Sequence, residues 1–115
     1  CSPQCVDVYN PKVVQATMGS IARVKIFYDE AKNIIDELKK PGIFKVYATT
    51  LDGNNIYHEN LAPHGLIVLG NESEGISEGL IRLSDEKISI PPFGKAESLN
   101  VAASCAIICS EFKRR

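Results

Sequence analysis

A chain of 115 residues is the size of one domain, and 44% hydrophobic with 23% charged residues is the composition of a globular protein. A formal net charge of −1 gives no argument for nucleic-acid binding, which would need a local basic patch or another domain. No apolar run approaches the roughly 20 residues of a membrane span, and no secretory signal is visible.

The chain opens at Cys1 and not at Met, so it is expected to lie inside a longer protein. In "NPKVVQATM", Asn10 can cap a short helix with Pro11 at its first position, ending near Gly19. "ARVKIFY", residues 22–28, is a strand candidate. "DEAKNIIDELKK" carries Ala31, Ile34, Ile35 and Leu38 at helical spacing, with Asp29 able to cap it and Pro41–Gly42 to stop it. "IFKVYATT", residues 43–50, reads as a strand and "LDGNN" as a turn. "LIVLG" is continuous and apolar, as expected of a strand covered on both faces of a parallel sheet. "SEGLIRL" makes a brief helix after Ser77, "KISI" a short strand, and residues 98–113 the last helix. Strands alternating with helices predict an α/β fold with a largely parallel sheet flanked by helices.

The last helix is unusual, because "VAASCAIIC" has Ser104 as its one polar residue. A surface helix would show a polar face, so this one is expected to be enclosed within the fold and against a second subunit. The cysteines fall in two C-x3-C pairs, Cys1/Cys5 and Cys105/Cys109. Structural zinc pairs usually enclose two residues on a turn, so a closed four-thiolate site and metal are not expected. Nothing suggests a disulfide scaffold, and a cytoplasmic location is expected. The closing Lys113, Arg114 and Arg115 read as complements to a helix C-terminal dipole.

Two motifs carry chemistry. "LIVLGNESEGIS" is a buried strand running into an acidic glycine loop, and "ISIPPFGKAESLNVA" leads into the last helix. In order, at this separation and before a terminal helix, they resemble the SpoU/TrmH-type RNA ribose methyltransferases of the SPOUT superfamily. Those enzymes show a G-x-E-x-x-G loop followed by an I-P-x-x-G-x-x-x-S-L-N segment. "VDVYNPKVVQATMGSIARV" is similar to the family's middle region, nearest to its ribosomal-RNA members.

The resemblance implies a deep trefoil knot formed by the C-terminal segment, S-adenosylmethionine (SAM) as cofactor, an RNA substrate and a homodimer through the last helix. It places SAM contacts on Thr49, on Leu69 and Gly70, and on residues 90–99, with Ile90 and Leu99 the nearest matches. Gly70 would let backbone approach the ligand. It places Glu72, Ser98 and Asn100 in the catalytic set, positioning ribose and the SAM carboxylate end and hydrogen-bonding to one another. Ser98 would also cap the last helix. Glu74 is left as a solvated acid, His58 and His64 as surface residues, and Arg23 as either a substrate-side or a solvated arginine. Ser73 lacks the G-x-S-x-G setting of a hydrolase nucleophile.

The family's first motif, N-x-G-x-x-x-R, is not in this chain. Residues 1–115 are therefore expected to be the catalytic domain without its N-terminal strand–helix unit, and alone inactive. A noncatalytic RNA-binding or dimerisation module is the alternative. Pro92 stands where the family commonly has methionine, which removes one N–H from the third loop. A nucleotide-binding P-loop is disfavoured, since G-x-x-x-x-G-K-[ST] does not occur.

Overall fold

The structure is a computed structural model that describes residues 1–95 and 98–115. It divides into two units, Cys1–Ile34 and Ile35–Arg115.

In the first unit, helix α1 (Pro11–Thr17) starts as its sequence predicts. Asn10 Oδ1 accepts the Lys12 N–H at 3.0 Å, Pro11 supplies the preset φ, and the helix ends at Met18 and Gly19 with positive φ. The strand expected over residues 22–28 does not form. Ser20–Ala22 is a single 3-10 turn, and the residues after it pair with no strand. β-branched and aromatic composition favours a strand only where a neighbour pairs with it, and Val24 and Phe27 stay 60% and 69% exposed. Local bonds order this stretch instead. The Tyr28 hydroxyl donates to Val6 O at 2.7 Å and accepts from Val8 N at 2.9 Å, while the Cys1 amino group donates to Phe27 O at 2.6 Å.

Helix α2 (Ala31–Lys39) follows its apolar spacing and buries Ile35 completely. Asp29 takes the Glu30 N–H at 2.7 Å just before it.

The second unit holds a three-stranded parallel sheet in the order β2-β1-β3, confirming the predicted α/β class. Strand β1 (Lys45–Asn55) is central, with β2 (Gly65–Val68) and β3 (Glu86–Ser89) beside it. The "LDGNN" turn is corrected by the structure: β1 runs through it with a bulge. Thr49 and Asn54 both align with Ile88, so the intervening residues bow out before Asn55 pairs with Ser89. Gly53 permits this, since a Cβ there would lie 2.5 to 2.7 Å from the Ile88 backbone. The Ser89 hydroxyl then donates to Gly53 O at 2.8 Å.

Tyr47, Ile56, Leu61, Ile88 and Ile108 form the core. Tyr47 donates no free edge to solvent: its hydroxyl accepts the Ala62 N–H at 2.8 Å and its ring meets Phe112 edge-on at 5.1 Å. Helix α3 (Glu78–Leu83) is capped by Ser77, as predicted.

Helix α4 (Val101–Arg114) departs from expectation at its start. Its cap is Asn100 and not Ser98: Asn100 Oδ1 accepts the N–H groups of Ala102 at 2.9 Å and Ala103 at 3.4 Å. Both residue types cap well, and the extended backbone at Asn100 decides between them. The chain itself encloses one face of α4, as expected for the side within the fold. Ile108 and Glu111 are buried, whereas Ala102, Ala103, Ala106, Cys109 and Ser110 are exposed. Small side chains expose little apolar area each, so an open face built from them is tolerated.

The terminal arginines do more than complement a dipole. Both bind the buried Glu111 carboxylate, and Arg115 Nη2 donates to Ile56 O at 3.2 Å and Tyr57 O at 2.7 Å. Hydrogen bonds from Arg114, then Arg115, hold the Glu111 carboxyl down at about 2.

Candidate functional site

The parallel sheet sends all three strands in one direction, so their carboxyl ends share one edge. Thr49 ends the first straight run of β1, Leu69 and Gly70 follow β2, and Ile90 follows β3. Topology thus gathers at one edge three stretches 20 or so residues apart in sequence. In open α/β sheets the crevice outside the strand carboxyl ends is where ligands bind.

Thr49 has its hydroxyl committed, donating to Val68 O at 3.0 Å and locking β1 to β2 just before the loop. Leu69 and Ile90 are half-buried and pack against the same core cluster. Leu99 is 48% exposed and Phe93 is 90% exposed, leaving apolar surface on the third loop. Ala96 and Glu97 of that loop lie outside the described residues.

The acidic loop closes on itself. Asn71 and Gly75 exchange both backbone bonds, at 3.1 and 2.8 Å, and Asn71 Oδ1 accepts Ser73 N at 2.8 Å. Gly70 is required by this closure: a Cβ would stand 2.4 Å from Gly75 C and 2.6 Å from Ile76 N. The space beside its bare Cα on that side holds the chain's own backbone, so Gly70 is needed for loop closure. Glu72 projects from the loop exposed, with no hydrogen-bond or ion-pair partner among the described residues. Glu74 keeps its reading as a solvated acid.

The expected bonds among Glu72, Ser98 and Asn100 do not form among the described residues. Asn100 spends its carbonyl oxygen on the α4 N-terminus. That commitment fixes the amide and leaves its NH2 as the group available to a ligand. Ser98 and Leu99 are exposed in the extended segment before it.

Sequence reasoning missed the β1 bulge as part of this edge. Thr50 Oγ1 is buried there without a well-formed hydrogen bond. Asp52 pairs with Lys87 at 2.5 Å, and its carboxyl is held below the usual range first by Lys87 and then by Thr50. Gly53 inside a strand pattern was the available signal, since such glycines mark bulges.

The opposite, amino-terminal edge has a shallow depression of about 440 Å³ lined by Lys39, Gly42, Ile43, Phe44, Lys45 and Asp85. Its charges are already paired, Lys39 with Asp85 at 2.8 Å and Lys45 with Glu86. Burial raises the Asp85 carboxyl, but Lys39 and the Val46 N–H outweigh it and hold the group below the usual range. His64 meets Phe44 edge-on, and His58 and His64 are exposed as expected. Arg23 is exposed in the first unit. Among the described residues no three His, Cys, Asp or Glu side chains are placed to hold a metal, and no helix is long and apolar enough to cross a membrane.

An open parallel sheet whose strand-end loops carry these residues is an α/β framework of the methyltransferase type the motifs resemble. The SpoU rRNA Methylase family model matches residues 1–110, and the chain belongs to that family. It is 33% identical over 103 residues to the Bacillus subtilis 23S rRNA (guanosine(2553)-2'-O)-methyltransferase RlmP, covering 89% of this chain and 41% of that protein. It is 33% identical over 95 residues to the tRNA (guanosine(18)-2'-O)-methyltransferase of Aquifex aeolicus, covering 78% and 44%. The solved SpoU methyltransferase AviRb from Streptomyces viridochromogenes, in complex with AdoMet, matches at 27% identity and a TM-score of 0.87, covering 99% of this chain and 47% of that one. The chain thus spans less than half the length of these relatives. A trefoil knot is not visible among the described residues.

Proposed function

We propose that the protein containing this chain is a SAM-dependent RNA 2'-O-ribose methyltransferase acting on ribosomal RNA, and that residues 1–115 are the cofactor-binding part of its catalytic domain. The carrying observation is the convergence of the motif loops on one carboxyl edge of a parallel sheet, in a member of the SpoU family. RlmP and the Aquifex aeolicus tRNA methyltransferase match at equal identity, and the wider coverage of this chain by RlmP supports ribosomal RNA.

The residues present fit the cofactor. The edge offers strand-end backbone groups, the half-buried Leu69 and Ile90, and the exposed Leu99. SAM, when bound, supplies the methyl group and a positive sulfonium. Leu69, Ile90 and Leu99 form the apolar walls, and the unpaired Glu72 carboxylate complements the cation. The Asn100 NH2 and the Ser98 hydroxyl orient the ribose and the cofactor's carboxylate end. Nothing in this chain matches the family arginine that assists removal of the 2'-hydroxyl proton, so the chain alone binds without turning over. The exposed small-residue face of α4 is the homodimer contact, and the protein works in the cytoplasm.

Calorimetry with SAM on the full-length protein tests this. Binding weakened at least tenfold by Leu99→Arg, at an exposed position that leaves the core intact, is the expected result. Absence of SAM binding by the unaltered protein, with RNA binding kept, would instead establish the noncatalytic module.

A further inference from the structure

Ser89 closes β3, and the next residue, Ile90, begins the third motif loop. A strand end held by one ladder bond is fixed in position but can still rotate and fray. Ser89 is held at two points. Its carbonyl oxygen accepts the Ile56 N–H at 2.9 Å, and its half-buried hydroxyl donates to Gly53 O at 2.8 Å. Gly53 lies in the β1 bulge and Ile56 just beyond the strand, so the two bonds anchor one residue to two places on the central strand's path. The bulge grips the residues before it as well. Lys87 pairs with Asp52 at 2.5 Å, and the Ile88 backbone lies against the bare Cα of Gly53. The methyl transfer proposed above gives none of these contacts a role.

We propose, resting on the SAM reading of this edge, that Ser89 is a positioning residue for the cofactor: its double hold on the β1 bulge aims Ile90 and the loop that follows. Stiffness carries the aim forward. Pro91 and Pro92 have φ fixed near −65°, and Ile90, as the residue before a proline, is confined to extended backbone. Three such residues make a rod of about 9 Å at about 3.1 Å per residue. A rotation of about 10° at its base therefore moves its far end by about 1.5 Å, a displacement large enough to cost a binding site much of its complementarity. Ile90 itself packs against the core, so the rod pivots at Ser89 and not at its own first residue. Removing the hydroxyl leaves the Ile56 bond in place and frees the rotation that it alone does not restrain.

SAM calorimetry on the full-length protein tests this with a matched pair of serines. Ser84, at the other end of β3, also donates a half-buried hydroxyl to a carbonyl at 2.8 Å, that of Leu80, but leads into no motif loop. Ser89→Ala should weaken SAM binding at least fivefold, and Ser84→Ala, which loses an equivalent bond, should leave it within twofold. Ser89→Thr keeps the hydroxyl on a residue that suits a strand and should restore binding to within twofold. Circular dichroism confirms folding, and Ser89→Cys, a weak donor of similar size, replaces Ser89→Ala if alanine does not fold. The positioning role alone is overturned if the unaltered protein binds SAM and Ser89→Ala binds it equally well, if Ser84→Ala weakens binding as much, or if Ser89→Thr fails to restore it. Absence of SAM binding by the unaltered protein overturns the cofactor reading itself, and this role with it.

Discussion

Cys1–Ile34 and Ile35–Arg115 contrast in how they are held. The first contains well-formed local devices: the Asn10 cap, the Met18–Gly19 helix stop and the doubly bonded Tyr28 hydroxyl. None of its residues is buried. The second contains a core of five buried residues, a sheet and long-range ion pairs. Local hydrogen bonds can shape a chain, but the hydrophobic term that stabilises it grows with buried area. Stability therefore resides chiefly in the second region, and residues 22–28, with no strand to pair with and no core to cover them, form no strand.

The largest expected effect breaks the core. Ile88→Ala should cost about 2–5 kcal/mol in urea denaturation, since it leaves a cavity at a fully buried site. Val24→Ser, at a 60% exposed position, should cost no more than about 0.5 kcal/mol. A Val24→Ser cost in the whole protein near that of Ile88→Ala would mean that another part of the polypeptide covers the first region.

Gly70→Ala comes next. Its methyl group would overlap the Gly75 backbone, so about 1–3 kcal/mol of destabilisation and a weakened SAM titration are expected. Gly79→Ala in α3 is the control. Nothing lies within 4 Å of its added Cβ, and thermal unfolding should show a gain of about 0.5–1 kcal/mol.

Asn100 separates capping from ligand contact. Asn100→Ala should cost about 1 kcal/mol and reduce methyl transfer by the full-length enzyme. Asn100→Asp keeps an acceptor for the α4 N–H groups but loses the NH2 donors. It should hold its melting temperature and still lose methyl transfer; retained activity would leave Asn100 a cap alone.

The smallest effect is in acid. Glu111 is held at about 2, below its ordinary 4.5, so its contribution is full above 4.5 and is lost as pH falls from there through about 2. Acid titration of stability should steepen in that window, and Glu111→Gln should flatten it. An unchanged profile would mean that the arginine clamp contributes nothing to folding.

Much of the architecture was legible from residues 10–17, 31–39, 65–68, 78–83 and 86–89, because caps, helical spacing and continuous apolar runs are local signals. The two motif loops were legible too. Less legible were the structural roles that motif residues also carry, loop closure at Gly70 and capping at Asn100.

The amino-acid order by itself determined the α/β class, which follows from periodicity, and, through the resemblance of its two motifs, the family and the stretches expected at the strand ends. Tertiary structure alone decided the rest. It made Gly70 a loop-closing residue, chose Asn100 over Ser98 as the α4 cap, carried β1 through its bulge and left one face of α4 open. Each of those outcomes depends on which backbone or side chain arrives from a distant part of the chain, and excluded volume and hydrogen-bond satisfaction act only once it has arrived.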